Sequence, residues 1–332
     1  MQLSRIWNGV LASLMFGSDS GDKLTGLGLN EDAGSVNVLQ TFNNVVSENE
    51  DFGRRRPLVI WHGLGDNYNS SGILRVTEIM NQIYPDLAIY IVKLNPDPSK
   101  DQHKTLFGDA KKEVEQVCEL IGKRPELDAG FDAIGFSQGG LFMRALTETC
   151  KRAKVKNLIT FGSPHMGVMD LPLCRDEKDW VCRRRNELLK RQVWNEKIQK
   201  TIVPAQYFRD PYQFDNYVLK SHFLAEINNE RADEFNPDFG DRLKDIEKFV
   251  MVTFTQDTTL VPKGSAAFND IDVNTGDLIP FDKTVLYEKN LIGLRDLNEL
   301  KKLEFLSIEE DHMRIPDTFL VDIANEYIGR EN

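Results

Sequence analysis

The sequence predicts an α/β fold: a mostly parallel central sheet with helices on both faces. Three observations lead there. From Pro57 onward, short apolar runs alternate with segments of helical periodicity. The runs are near-continuous in hydrophobicity, as expected of strands buried on both faces. Two of them end in glycine-rich turns, as strand-to-helix connections in such folds often do.

The elements follow in order. Residues 58–61, Leu-Val-Ile-Trp, form the first strand and end in His62-Gly63-Leu64-Gly65-Asp66. Residues 72–84 read as a helix and 87–92 as a second strand. Ala110, Val114, Val117, Cys118 and Ile121 fall on one helical stripe. Residues 131–135 are the third strand, with a helix over 138–149. Further strands are expected at 157–161, 249–255 and 303–308, and a closing helix at about 316–328. The stretch 165–248 breaks this rhythm, carrying Trp180, Trp194, Tyr207, Phe208, Phe214 and Phe223. It reads as a helical insertion over the C-terminal edge of the sheet, where such folds bind ligands. No internal repeat or low-complexity stretch is visible.

With 332 residues, 41% of them hydrophobic, the chain has enough material for a sizeable core. Its formal net charge of −11 repels phosphate backbones and argues against nucleic-acid binding. The short runs Arg54-Arg55-Arg56 and Arg183-Arg184-Arg185 read as solvated faces. No stretch reaches the roughly 18 to 20 apolar residues of a membrane span. Residues 1–20 place Arg5 before a mainly apolar run from Ile6 to Phe16, followed by Ser18-Asp19-Ser20. They read as either a signal peptide or a disordered leader. Residues 21–56 read as a flexible lead-in, and 57–330 as a single catalytic domain.

The chemistry is signalled by Gly135-Phe136-Ser137-Gln138-Gly139-Gly140, with a strand before it and a helix after it. That is the context of a nucleophile elbow and of the α/β-hydrolase fold, with Ser137 as nucleophile. A serine hydroxyl needs a neighbouring base, and the chain has five histidines. His62 lies in the first glycine loop, His103 and His222 in polar or helical surroundings, and His165 ahead of the region expected to supply the acid. These four read as structural. His312 follows the last strand, where the chain order Ser, acid, His places the base. Asp257, after the strand at 249–255, is the expected acid, orienting His312. Asp311 adjoins the base too closely in sequence to orient its ring. The oxyanion hole is expected from the backbone N–H of Gln138 and that of Leu64 or Gly65. Neither His nor Cys clusters at metal-ligand spacing, and the mechanism needs no cofactor.

From about Pro57 to the C-terminus, the chain resembles the lysosomal palmitoyl-protein thioesterases, as a fungal-like member. The matching stretches are Val59-Ile60-Trp61-His62-Gly63-Leu64-Gly65-Asp66, the elbow, His165-Met166-Gly167-Val168, Leu171-Pro172-Leu173-Cys174, Tyr207-Phe208-Arg209-Asp210-Pro211, Phe223-Leu224-Ala225-Glu226-Ile227-Asn228, Lys248-Phe249-Val250-Met251-Val252 and Asp311-His312. The elbow alone is shared with cytosolic acyl-protein thioesterases; the later stretches are more specific.

The resemblance implies hydrolysis of palmitoyl thioesters on S-acylated cysteines of proteins or peptides, with Ser137, Asp257 and His312 as the triad. It also implies an acyl-chain groove under the insertion, for which Val203, Phe208 and Leu260 are the candidates by position; ordinary core packing is the alternative for each. Four cysteines allow three pairings. The resemblance selects Cys118 with Cys150 and Cys174 with Cys182, against four reduced thiols. Paired cysteines imply the secretory route and a lysosomal or vacuolar lumen, or secretion; reduced ones would fit the cytoplasm. Asn69-Ser70-Ser71 is a sequon, so Asn69 is a candidate glycosylation site. The family's cysteine pair after the first glycine loop is replaced here by Asn67-Tyr68-Asn69-Ser70, and Gln256 precedes Asp257 where the family carries a second sequon. The competing readings are a cytosolic carboxylesterase or acyl-protein thioesterase, and a catalytically silent lipid carrier.

Overall fold

The computed structural model describes residues 55–170 and 192–330. The N-terminal leader, most of the lead-in, and Cys174 and Cys182 lie outside the described residues.

β1 (Leu58–Trp61) runs into the glycine loop, and α1 (Ser71–Ile83) leads to β2 (Ile89–Ile91). Two helices, α2 (Pro98–Lys104) and α3 (Ala110–Ile121), precede β3 (Phe131–Phe136), which passes through Ser137 into α4 (Gln138–Thr149). After β4 (Val155–Phe161) the chain leaves the sheet. The described part of this excursion holds α5 (Glu196–Thr201), α6 (Val203–Gln206), α7 (Phe214–Lys220), α8 (Leu224–Ile227) and α9 (Pro237–Lys244). The chain rejoins the sheet at β5 (Lys248–Phe254). A small antiparallel pair, β6 (Asp270–Ile271) with β7 (Leu278–Ile279), precedes α10 (Val285–Glu288) and α11 (Leu294–Glu299). Then β8 (Leu303–Ile308) and α12 (Asp317–Tyr327) close the fold.

The six-stranded sheet has the order β2-β1-β3-β4-β5-β8, with every neighbouring pair parallel. This is the α/β-hydrolase architecture. The chain goes outward from β1 to β2 and then returns to place β3 on the other side of β1. A crevice therefore opens at the C-terminal ends of β1 and β3, where the strand order reverses. The first glycine loop and the serine turn both lie there.

The period-2 geometry of strands divides each one between two cores. Leu58 and Ile60 face α1 and α12, in a cluster with Val76, Ile134, Val250, Leu320 and Ile323. Val59 and Trp61 face the other side, where α3, α4 and the excursion supply Val117, Leu141, Phe142, Val203 and Phe223. A disulfide between Cys118 on α3 and Cys150 at the end of α4 links two helices of that second layer.

Several boundaries differ from the sequence expectations. β2 is shorter than 87–92 because the Leu87 N–H closes a turn on the Tyr84 carbonyl at 3.1 Å. Helix α2 was not expected, since a polar segment has no apolar stripe to reveal it; Pro98 and the Asp97 cap start it. Nor is Arg56 part of a solvated lead-in. It is buried, its N–H donates to Arg330 O at 3.0 Å, and its guanidinium lies 2.9 Å from Glu247 and 3.7 Å from Asp132. A cation this enclosed needs such partners.

Candidate active site

The turn between β3 and α4 puts Ser137 at φ 50°, ψ −120°, a backbone conformation uncommon for a residue with a side chain. Glycines make this turn possible. A Cβ on Gly135 would sit 2.3 Å from Gly140 Cα, and one on Gly139 would sit 2.4 Å from the Trp61 carbonyl oxygen. The Ser137 N–H donates to Phe161 O at 2.7 Å, which anchors the turn to β4.

Two loops meet this serine. The loop after β8 carries His312, whose Nε2 lies 3.0 Å from Ser137 Oγ. The loop after β5 carries Asp257, whose Oδ2 lies 2.6 Å from His312 Nδ1. The other oxygen of Asp257 accepts the backbone N–H groups of Thr259 and Leu260, each at 2.8 Å. Both side chains are almost enclosed, His312 at 7% exposure and Asp257 at 1%. With the Nδ1 proton directed at Asp257, Nε2 is free to accept the serine proton.

The structure places the remaining histidines elsewhere. His62 is buried with Nε2 3.0 Å from Asp101 Oδ2. His103 stacks on Phe107, and His222 pairs with Asp109 at 3.1 Å. His165 is fully enclosed, stacked on Phe268 and 3.0 Å from the Thr160 hydroxyl. Burial, reinforced by the Arg144 guanidinium, holds its pKa well below the usual histidine range.

The first glycine loop lies against the elbow: a Cβ on Gly63 would be 3.1 Å from Phe136 O and 3.3 Å from Ser137 Cβ. The Gly65 N–H already donates to the Thr105 hydroxyl at 2.8 Å. The Leu64 N–H has no hydrogen-bond partner among the described residues. The Gln138 N–H opens α4, where backbone donors lack intrahelical acceptors. The Gln138 amide group donates to Thr105 O and to the Tyr207 hydroxyl, both at 3.1 Å.

Val203, Phe208 and Leu260 are all buried. Val203 belongs to the main core on the α4 side, while Phe208 forms a separate cluster with Leu106, Val193, Ile202 and Ala205. Leu64 and Trp194 pack on the edge of that cluster, so an apolar patch extends from the excursion to the first glycine loop. Asn69 is exposed, just before the Ser70 cap of α1. No group of three or more His, Cys, Asp or Glu side chains among the described residues is arranged to hold a metal ion.

Sequence reasoning missed two organising residues. Asp101 is buried and accepts from Tyr68 N, Leu94 N, Asn95 N and His62. Burial pushes its pKa up, but His62 and the backbone donors outweigh that and leave it below the usual carboxylate range. Thr105 was the second. Neither sits in a motif, and the contacts that join them to the first glycine loop and to Gln138 span more than 30 residues, so local pattern carried no signal.

The family described as palmitoyl protein thioesterase matches this chain over residues 57–312. The chain belongs to that family. It is 34% identical to palmitoyl-protein thioesterase 1 of Caenorhabditis elegans, over 82% of this chain and 91% of the worm protein. It is 35% identical to the palmitoyl-protein thioesterase-dolichyl pyrophosphate phosphatase fusion 1 of Schizosaccharomyces pombe, over 80% of this chain but only 42% of that longer protein. A Drosophila melanogaster homologue named as a lysosomal thioesterase is 30% identical, over 75% of this chain and 82% of its own length. The palmitoyl-protein thioesterases are thioester hydrolases, and this member has their hydrolase fold.

Proposed function

We propose that this palmitoyl-protein thioesterase family member hydrolyses long-chain fatty acyl, chiefly palmitoyl, thioesters on S-acylated cysteines of proteins or peptides. The observation that carries the reading is the hydrogen-bonded line from Ser137 through His312 to Asp257. Ser137 Oγ attacks the thioester carbonyl carbon while His312 Nε2 takes the hydroxyl proton. The carbonyl oxygen becomes an oxyanion facing the N–H groups of Leu64 and Gln138. The C–S bond then breaks, the sulfur leaves with the proton held by His312, and the acyl group stays on Ser137. Water attacks that ester, His312 again takes the proton, and the fatty acid and free serine result. Asp257 holds the ring and offsets the imidazolium charge.

A cysteine thiol has a pKa of about 8.5, far below an alcohol's, so the leaving group needs little help. Residues 57–330 serve as one catalytic domain, with 165–248 inserted over the crevice. Val203, Phe208 and Leu260 line the acyl path, and Phe208 belongs to the apolar patch that reaches Leu64. The proposed destination is a lysosomal or vacuolar lumen, or the outside of the cell. The Cys118–Cys150 disulfide supports it, since such bonds persist in oxidising compartments. Residues 1–20 then act as signal peptide, Cys174 pairs with Cys182, and the exposed Asn69 carries glycan.

The experiment is a chain-length series of acyl thioesters beside a palmitoyl oxygen ester. Each buried methylene contributes about 0.8 kcal/mol, so burying even two of the extra methylenes of palmitoyl should raise kcat/KM above that for butyryl by ~10-fold or more. Equal values would remove the acyl path from the account.

A further inference from the structure

Two hydrogen-bonding groups of Thr105 reach the two halves of the oxyanion site at once. Its hydroxyl accepts the Gly65 N–H at 2.8 Å, and its carbonyl accepts the Gln138 side-chain amide at 3.1 Å. Gly65 belongs to the loop after β1, and Gln138 is the first residue of α4. These pieces are 40 residues before Thr105 and 33 residues after it. We propose that Thr105 is a positioning residue that sets the spacing of the Leu64 and Gln138 N–H donors. The inference rests on the reading of those two groups as the oxyanion hole.

The direction of each bond is fixed. A hydroxyl has one proton, and that of Thr105 goes to Gln102 O at 2.7 Å. Its lone pairs are thereby turned to the Gly65 N–H. The Gln102 amide group in turn donates to Gly65 O at 2.6 Å. Both peptide groups flanking Gly65 Cα are thus held, at φ 72°, where glycine is favoured. The Leu64 N–H lies one peptide upstream of that clamp. On the other side, the Gln138 amide is held between Thr105 O and the Tyr207 hydroxyl, which fixes the start of α4 beside the serine.

Thr105 is itself buried and tied to the insertion. Its neighbour Leu106 accepts from Val203 N at 3.0 Å, and the Gly108 N–H donates to Thr201 O at 3.1 Å. The segment that sets the donors is therefore braced against the same helices that supply the proposed acyl path. Donors of this kind help only if they sit about 2.7–3.1 Å from the developing oxyanion, and a displacement on the order of 1 Å can cost ~100-fold.

The test compares wild type, Thr105→Val, Thr105→Ser, Gln138→Met and Ser137→Ala on a palmitoyl thioester, with thermal unfolding of each. Thr105→Val keeps the shape and removes the acceptor for Gly65. Its kcat should fall on the order of 10- to 100-fold with KM within about twofold, because donor placement matters most in the transition state. Thr105→Ser keeps the hydroxyl and should recover most of that loss. Gln138→Met cuts the second tether while keeping the backbone donor, and should also lower kcat with KM nearly unchanged. It reads the proposal independently if the valine variant does not fold. Wild-type kcat in folded Thr105→Val, or no recovery in Thr105→Ser, overturns the proposal while inactive Ser137→Ala leaves the hydrolase reading standing. Full activity in Ser137→Ala would instead overturn the hydrolase reading.

Discussion

Asp311 ties the loop that carries His312 to the loop that carries Asp257 through Thr258. Its Oδ1 accepts the N–H and the hydroxyl of Thr258, each at 3.3 Å, and also the backbone N–H of His312 at 2.8 Å. These donors, led by the His312 N–H, hold its carboxyl below the usual range. The imidazole of His312 donates from Nδ1 to the other loop, at Asp257. The two carboxylates that bond His312 thus have separable tasks, one fixing loops and one facing the ring.

That separation gives a first prediction. Asp257→Asn should lower kcat by roughly 10²- to 10⁴-fold, because the amide favours the wrong tautomer and cannot offset the imidazolium. Asp311→Asn should keep kcat within about tenfold and lower stability by roughly 1 kcal/mol, through weaker loop bonds. Steady-state kinetics and urea unfolding on both variants check this, and comparable kcat losses would undo the assignment.

A second prediction concerns pH. Glu113 on α3 is buried with neither carboxyl oxygen hydrogen-bonded, and burial pushes its pKa up to about 8, with Lys104 opposing and Asp109 and Asp101 adding. An unfolded glutamate titrates near 4.3. Between these values the folded chain holds a proton that the unfolded chain has released. Its contribution to stability therefore falls as pH rises through that window and is constant outside it. Glu113→Gln cannot ionise, so it should gain on wild type as pH rises, by about 3 to 4 kcal/mol at pH 8 relative to pH 5. Urea unfolding at both pH values measures this. A variant-minus-wild-type difference independent of pH would contradict it.

The third prediction is the disulfide. Cys118 and Cys150 are 32 residues apart, and closing a loop of that size stabilises by about 3 to 4 kcal/mol in the chain-entropy account. Replacing both cysteines by alanine should lower unfolding free energy by about that much and leave kcat nearly unchanged, since the bond lies behind α4 in the second core layer. Loss of kcat without loss of stability would contradict this placement.

The sheet and the elbow were legible because their signals are local. Short apolar runs at β1, β3, β4, β5 and β8 gave the strands, and Gly135 to Gly140 marked a turn that only glycines permit. Chain order pointed to Asp257 and His312 as the residues facing Ser137, and the fold brings these three together. What pattern did not reveal is held by long-range polar contacts. Asp101 collects the loops after β1 and β2 around one carboxylate, and Thr105 joins the glycine loop to α4. Helix α2, which carries Asp101 and ends at Thr105, has no apolar stripe to announce it. Arg56 was misread for the same reason, its partners Glu247 and Asp132 being remote in sequence.

The most direct test of the central claim is turnover of a palmitoyl thioester by purified Ser137→Ala, His312→Ala and His165→Ala beside wild type. Nucleophile and base act as one unit, so Ser137→Ala and His312→Ala should each lose several orders of magnitude in kcat, on the order of 10⁴ or more, while remaining folded. His165 is enclosed against Phe268 and away from the serine, so His165→Ala should lose stability but keep kcat within about tenfold per folded molecule. A palmitoyl thioesterase activity that survives in folded Ser137→Ala, or that depends on His165 rather than His312, would contradict the account.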